Sequence, residues 1–251
     1  MMFSEEVAWV TGSSTGIGRA AALALAEQGC RVVVHYNRSE DEAREVEREI
    51  TSSGGEAALV GGDVANAGEV ERMVGEIEAR FGRIDVLVNN AGSLVERRTL
   101  AEMTEDLWER VMAVNLKSVY LCSQAVLPMM KSRGRRRIIN MTAVAARNGG
   151  ARGSVAYATA KGGVSTLTRA MAKELVGDGI LVNGVAPGII TTPFHDRFTP
   201  PEMRESMTAA IPLGREGTPE EVAGAVVFLA SPAADYLVGE IIEVNGGQLM
   251  S

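Results

Sequence analysis

Short uninterrupted apolar runs alternate with longer amphipathic stretches almost from one end of the chain to the other. Seven runs read as strands: VAWV (7–10), RVVVH (31–35), EAALVG (56–61), DVLVN (85–89), RIIN (137–140), ILVNGV (180–185) and IIEVN (241–245). Their apolar positions do not alternate with polar ones, which is the pattern of strands covered on both faces of a parallel sheet. Between them the spacing turns helical. In DEAREVEREI (41–50), Ala43, Val46 and Ile50 line one face, and acids and arginines take the other. Strand–helix alternation of this kind predicts an α/β fold with a doubly wound parallel sheet and right-handed crossovers. No repeat, linker or change of composition divides the 251 residues, so residues 1–251 read as a single domain.

One segment breaks the rhythm. TPFHDRFTPPEMRESMTAAIPLGR (192–215) follows the sixth strand and carries its own helix start, with Thr199 as N-cap, prolines next and Glu202 at the capping-box position. Thr218, Pro219 and Glu221 repeat that signature for the next helix. Extra helical structure at the C-terminal ends of the strands lies where doubly wound sheets take their ligands. The segment at about 193–214 therefore reads as a substrate lid, with an ordinary surface helix as the alternative.

Composition narrows the function classes. The chain is 46% apolar and 23% charged, with a formal charge of −7. That balance argues against nucleic-acid binding, which rests on Lys and Arg. The one basic cluster, Arg133, Arg135, Arg136 and Arg137, follows a helical pattern and reads as a solvated turn. Cys30 and Cys122 lie far apart without metal-ligand spacing, as expected of free thiols in a reducing compartment. The N-terminus has no secretory apolar region, and no run reaches the length of a membrane span. A cytoplasmic protein without nucleic-acid or membrane partners is the expectation.

The first strand leads into a glycine loop and a helix, VAWVTGSSTGIGRAAALALAEQG (7–29). Gly12, Gly16 and Gly18 give G-x3-G-x-G, one residue longer in its first gap than the dinucleotide fingerprint. Backbone without side chains lets a pyrophosphate approach amides at a helix N-terminus, where the dipole favours negative charge. The flanking strand and helix stand in the required order. This points to a dinucleotide on Gly12, Ser14, Thr15, Gly16, Ile17 and Gly18. At the end of the second strand an acid would bind the ribose 2′-hydroxyl of NAD, whereas a base would accept the 2′-phosphate of NADP. The chain offers Tyr36, Asn37, Arg38 and Ser39 before any carboxylate, so NADP is preferred and NAD remains possible.

With that loop, NNAG (89–92), and Tyr157 followed by Lys161, the whole chain resembles the classical short-chain dehydrogenase/reductase family. GDV (62–64), Asn115 and PGIITTP (187–193) match as well. The resemblance implies a Rossmann fold with a seven-stranded parallel sheet and helices on both faces, usually assembled as a homotetramer. It implies adenine contacts from Asp63 and Val64, with Asn89, Ala91 and Gly92 alongside. Pro187, Gly188, Ile190 and Thr192 would lie near the nicotinamide, and Asn115 would hold a water linking Lys161 to solvent.

The implied chemistry is hydride transfer between nicotinamide and a carbonyl or alcohol. Tyr157 and Lys161 are i and i+4 on one helix and share a face. A nearby ammonium, together with the positive nicotinamide of the oxidised cofactor, is expected to pull the phenol down from its ordinary value and ready it for proton transfer. The family's serine, which orients the substrate oxygen, is replaced here by Ala143. Thr142 is one candidate substitute, although neighbouring side chains on a strand face opposite ways. Ser154 is another, although a serine opening a helix is more often its N-cap. A glycine-rich stretch before Tyr157 and His195 at the lid resemble sugar and keto-uronate reductases of the family, with Arg97, Arg98, His195 or Arg197 meeting the substrate. The alternative is a 3-oxoacyl-thioester reductase. A non-catalytic NADP sensor is the reading from a different class. No metal role is expected for His195, since the only other histidine is His35.

Overall fold

Each apolar run forms a strand in the computed structural model, which describes residues 2–131 and 136–250. The strands are β1 (Val7–Val10), β2 (Arg31–Tyr36), β3 (Ala57–Gly61), β4 (Val86–Asn89), β5 (Arg136–Met141), β6 (Ile180–Pro187) and β7 (Ile241–Val244). They pair in parallel in the order β3-β2-β1-β4-β5-β6-β7. Strand order reverses between β1 and β4, which opens a crevice at their C-terminal ends. The helices are α1 (Gly16–Glu27), α2 (Glu40–Ser52), α3 (Ala67–Phe81), α4 (Glu105–Met112), α5 (Ser118–Met130), α6 (Ala145–Asn148), α7 (Val155–Leu175), α8 (Pro193–Phe198), α9 (Pro201–Ala209) and α10 (Pro219–Ala230).

Two apolar layers sandwich the sheet. On one face α1, α2 and α10 pack on Val10, Val32, Val34 and Ile139, and Ala43, Val46 and Ile50 of α2 are buried there as their spacing predicts. On the other face α3, α5 and α7 cover Trp9, Val33, Leu87 and Ile138. Near-continuous apolar strands are what such two-sided burial requires.

Two expectations are corrected. Arg136 and Arg137 are not in a solvated turn; they open β5 and are 4% and 3% exposed. Carboxylates at the N-terminal edge of the sheet make this burial possible. Arg136 lies 2.6 Å from Asp85, and Arg137 lies 2.5 Å from Asp235. Arg133 and Arg135 fall outside the described residues. The second correction concerns the segment at 193–214, which forms two short helices. Pro200, not Thr199, precedes the second, while Thr199 ends the first and meets the His195 ring at 3.0 Å. The Thr218–Glu221 capping box forms as read.

Asp85 serves several partners at once, accepting from the Val7 amide at 2.8 Å and from Arg83 as well as pairing with Arg136. Removing one member of a buried ion pair leaves charge without compensation. Asp85→Ala is expected to cost about 3–5 kcal/mol of folding stability, read from the urea midpoint. A loss under about 1 kcal/mol, typical of exposed pairs, would contradict this account.

Candidate functional site

The crevice between β1 and β4 is built from backbone. Gly12 has φ of +62°, a conformation glycine adopts without strain. A methyl group on Gly18 would lie 2.2 Å from the Gly12 carbonyl oxygen and 2.4 Å from Asn90 Nδ2, so only hydrogen fits. Thr11 and Asn90 hold the two sides together. Thr11 Oγ1 accepts from the amides of Asn90 and Ala91 at 3.0 Å each, and Asn90 Nδ2 donates to the Thr11 and Gly12 carbonyls at 2.9 Å each. Within the described residues, the amides from Ser14 through Gly18 have no acceptor, as expected at a helix N-terminus. The loop therefore fits a pyrophosphate, with those amides and the dipole of α1 facing it.

The other predicted nucleotide residues gather around this loop. Ala91 touches Gly12, and the Thr192 methyl lies against Gly16. Asn37 and Arg38 are exposed at the end of β2, and among the described residues Arg38 has no ion pair. The first carboxylate after it, Glu40, is paired with Arg44. At the end of β3, one Asp63 oxygen accepts from the Ala65 amide at 2.9 Å and closes a turn. Several side chains are committed elsewhere. Val64 and Ile190 are buried in the two apolar layers, leaving only their backbone for a ligand. Asn89 donates to Ser123 Oγ at 3.0 Å and to Asn140 Oδ1 at 2.9 Å within a buried polar network. Pro187 ends β6, and its carbonyl accepts from the Val144 amide at 2.9 Å. The Gly188 amide donates to the Val244 carbonyl at 2.9 Å.

Asn115 and Lys161 converge on Gly92, and Tyr157 lies beside Lys161. A π turn at Ala113–Lys117 joins α4 to α5 and contains the fully buried Asn115. Asn115 Nδ2 donates to the Ser93 carbonyl at 2.7 Å and to the Val111 carbonyl at 2.8 Å. Its Oδ1 accepts from the Ser93 amide at 3.0 Å. A methyl group on Gly92 would meet Asn115 Oδ1 at 2.7 Å and Lys161 Nζ at 3.4 Å, which shows how closely the three approach. Lys161 Nζ donates to the Met141 carbonyl at 2.7 Å and lies 5.7 Å from the Tyr157 ring centroid. Burial lowers the Lys161 amine to about 8. Burial also raises the Tyr157 phenol, so the expected downward pull of the ammonium does not prevail: desolvation of the phenolate outweighs it. The phenol is held in its protonated form.

The Thr142 hydroxyl is engaged by neighbours other than Tyr157. Its hydroxyl lies 3.0 Å from Ser165 Oγ and accepts from the Ala143 amide at 2.6 Å. Ser165 is eight residues beyond Tyr157 on α7, a separation of roughly 12 Å along the axis. The alternation of side chains along the strand has taken the Thr142 hydroxyl toward the middle of the helix. Ser154 opens α7 without capping it; its hydroxyl donates to the Ala151 carbonyl at 2.5 Å.

Arg97 ties α8 to the glycine-rich stretch before α7. Nε donates to the Phe198 carbonyl at 2.9 Å and an Nη to the Arg152 carbonyl at 2.8 Å. Arg98 pairs with Glu96. Phe194 stacks obliquely on Tyr157, centroids 5.6 Å apart, and also contacts His195 and Phe198. Burial, followed by the nearby Arg204 charge, lowers the His195 imidazole. Arg204 grips Glu216 through two nitrogens, at 2.6 and 2.7 Å, and holds α9 down. Sequence reading missed Phe194, Arg204 and Thr11. Only Thr11 had a local signal, its place directly before the glycine loop.

Comparisons with known proteins agree with this geometry. Residues 12–248 match a family model described as Enoyl-(Acyl carrier protein) reductase. The chain is 46% identical over 246 residues to a 3-oxoacyl-[acyl-carrier-protein] reductase of Synechocystis sp., covering 98% of this chain and 97% of the relative. It is 42% identical over 243 residues to the 3-oxoacyl-[acyl-carrier-protein] reductase FabG of Staphylococcus epidermidis, covering 97% and 98%. A dehydrogenase/reductase from Sinorhizobium meliloti 1021 superposes with a TM-score of 0.93 at 30% identity, over 99% of this chain and 96% of that one.

The desolvated lysine is directly measurable. Lys161 should lose its proton as pH rises through about 8, followed by carbon NMR of the ε-methylene. A midpoint at the ordinary lysine value near ~10.4 would contradict the burial described.

Proposed function

Because the chain belongs to the short-chain dehydrogenase/reductase family, we propose that it reduces the ketone of a 3-oxoacyl thioester with NADPH. The observation that carries this reading is near-full-length identity to relatives named for that reaction. The sugar or keto-uronate expectation loses its footing. Arg97 is engaged by two backbone carbonyls and His195 by Thr199. Arg38, exposed without an ion pair among the described residues, supports the preference for a 2′-phosphate. Asn115 and Lys161 meeting at Gly92, with Tyr157 beside Lys161, leave the non-catalytic reading without support.

When bound, the cofactor supplies hydride to the ketone carbon. Tyr157 gives its proton to the ketone oxygen, and burial keeps that proton in place until it is needed. Lys161, braced by the Met141 carbonyl, balances the phenolate left behind. Asn115 fixes the Ser93 backbone beside them. Phe194 covers the phenol and limits water. No serine assists Tyr157, so the reacting oxygen has one donor fewer than the family pattern supplies. The homotetramer reading finds support in an apolar groove between the π turn, α5 and α7, lined by Met112, Leu116, Tyr120 and Leu167. Among the described residues, no helix is long and apolar enough to cross a membrane.

Assays of acetoacetyl thioesters, keto-uronates and sugars with NADPH and NADH test the reading. Turnover of the thioester, faster with NADPH, is expected; turnover of uronates or sugars alone rejects it. Ala143→Ser is expected to raise kcat by roughly 10²–10³, the usual worth of one oxyanion donor. If Ala143→Ser changes nothing while Thr142→Ala is strongly damaging, Thr142 is the working donor after all.

A further inference from the structure

The nucleotide half of the crevice contains one group whose role nothing above assigns. His35, the penultimate residue of β2, is 1% exposed and has both ring nitrogens engaged. The Gly12 amide lies 2.8 Å from Nδ1, and the Gly62 carbonyl oxygen lies 3.0 Å from Nε2. An amide only donates and a carbonyl only accepts, so Nδ1 must be bare and Nε2 must carry the proton. The backbone of the same residue reinforces the contact. The Ser13 amide donates to the His35 carbonyl at 3.0 Å, and the His35 amide donates to Ser13 Oγ at 2.9 Å. Ser13 Oγ in turn donates to the Val10 carbonyl at 2.7 Å. One residue thus joins the end of β1, the glycine loop and the residue before Asp63.

We propose that His35 is a positioning residue for the dinucleotide: its neutral ring clasps Gly12 to Gly62 and sets the shape of the glycine loop before the ligand binds. The Gly12 amide faces this ring and so is spent within the protein. The amides left for phosphate are those from Ser14 onward. A loop already shaped spares the ligand the entropy of ordering it. Burial supports the same protonation state, holding the imidazole at about 4, against smaller opposing effects of the hydrogen bond to the Gly62 carbonyl and then of the Asp63 charge. The other side chain facing the ring is Trp9, edge-on at 6.4 Å.

The inference rests on the dinucleotide site being where the proposed function puts it, and the experiment separates the two. NADP⁺ and NAD⁺ affinities are measured by calorimetry on the full chain and on three variants. His35→Asn keeps an acceptor at the Nδ1 position, His35→Gln keeps a donor at the Nε2 position, and His35→Leu keeps neither. Leaving the Gly12 amide without a partner is expected to weaken NADP⁺ binding by about tenfold or more in the Leu and Gln variants. The Asn variant should stay within about threefold of the unmodified protein, and kcat at saturating cofactor should change little in all three. Equal losses in the Asn and Leu variants, or none in either, overturn the proposal. Should the Leu variant fail to fold, the Asn and Gln pair still decides. Nitrogen NMR of the unmodified protein gives an independent reading. With only two histidines, the His35 ring is assignable, and a proton found on Nδ1 overturns the assignment. If the unmodified protein binds neither nucleotide, the site itself is misplaced and both readings fall.

Discussion

The hydrogen bonds that span the gap between β1 and β4 are the constraint on which everything else depends. At that point the chain changes direction across the sheet, so no strand ladder continues past Val10 and Asn89 to hold the loops. Thr11 and Asn90 supply the missing connection, four hydrogen bonds in a space of a few residues. They fix Gly12 relative to Ala91, and Gly92 then follows directly in sequence. Because Gly92 is in contact with Asn115 and close to Lys161, the glycine loop and the Asn115–Lys161 end of the crevice are joined through one short piece of backbone. Buried polar networks of this sort are worthwhile only when every member is satisfied, and these members are.

Desolvation governs the chemistry more than pairwise attraction does. Tyr157 and Lys161 are shifted in opposite directions by the same burial, the phenol toward keeping its proton and the amine toward losing one. Two groups of similar ordinary acidity are thereby driven apart, so the phenol holds its proton firmly while the amine is the readier of the two to give one up. Neighbouring side chains strengthen the effect: Phe194 lies on the phenol, Arg97 ties α8 down, and Arg204 anchors α9 to Glu216.

Much of this was legible from the chain. Apolar runs gave all seven strands, the glycine spacing gave the loop, and i,i+4 spacing placed Tyr157 and Lys161 on one face. What was hidden depends on partners distant in sequence. Arg136 and Arg137 read as surface charge because the carboxylates that accept them, Asp85 just before β4 and Asp235 in the turn after α10, are distant in sequence. The direction of the Tyr157 shift depends on how completely the fold dries the phenol, and spacing carries no such information. Arg97 and His195 have the composition of a substrate site, yet their partners belong to the end of α8 and to the loop before α7. The departure at Ala143 was visible, and alternation along the strand correctly warned that Thr142 points elsewhere.

The π turn at Ala113–Lys117 has a further consequence for how such a chain can vary. A widened turn carries one residue more than the α-helical path around it, and that surplus sets where Asn115 sits. Point replacements on α4 or α5 leave the count intact. Losing or gaining a single residue there would rotate every later side chain of the helix by roughly 100°, sweeping the amide away from Ser93 and misaligning α5 against α3. Drift in this stretch is therefore confined to exchange of one residue for another, and its length is the heritable constant.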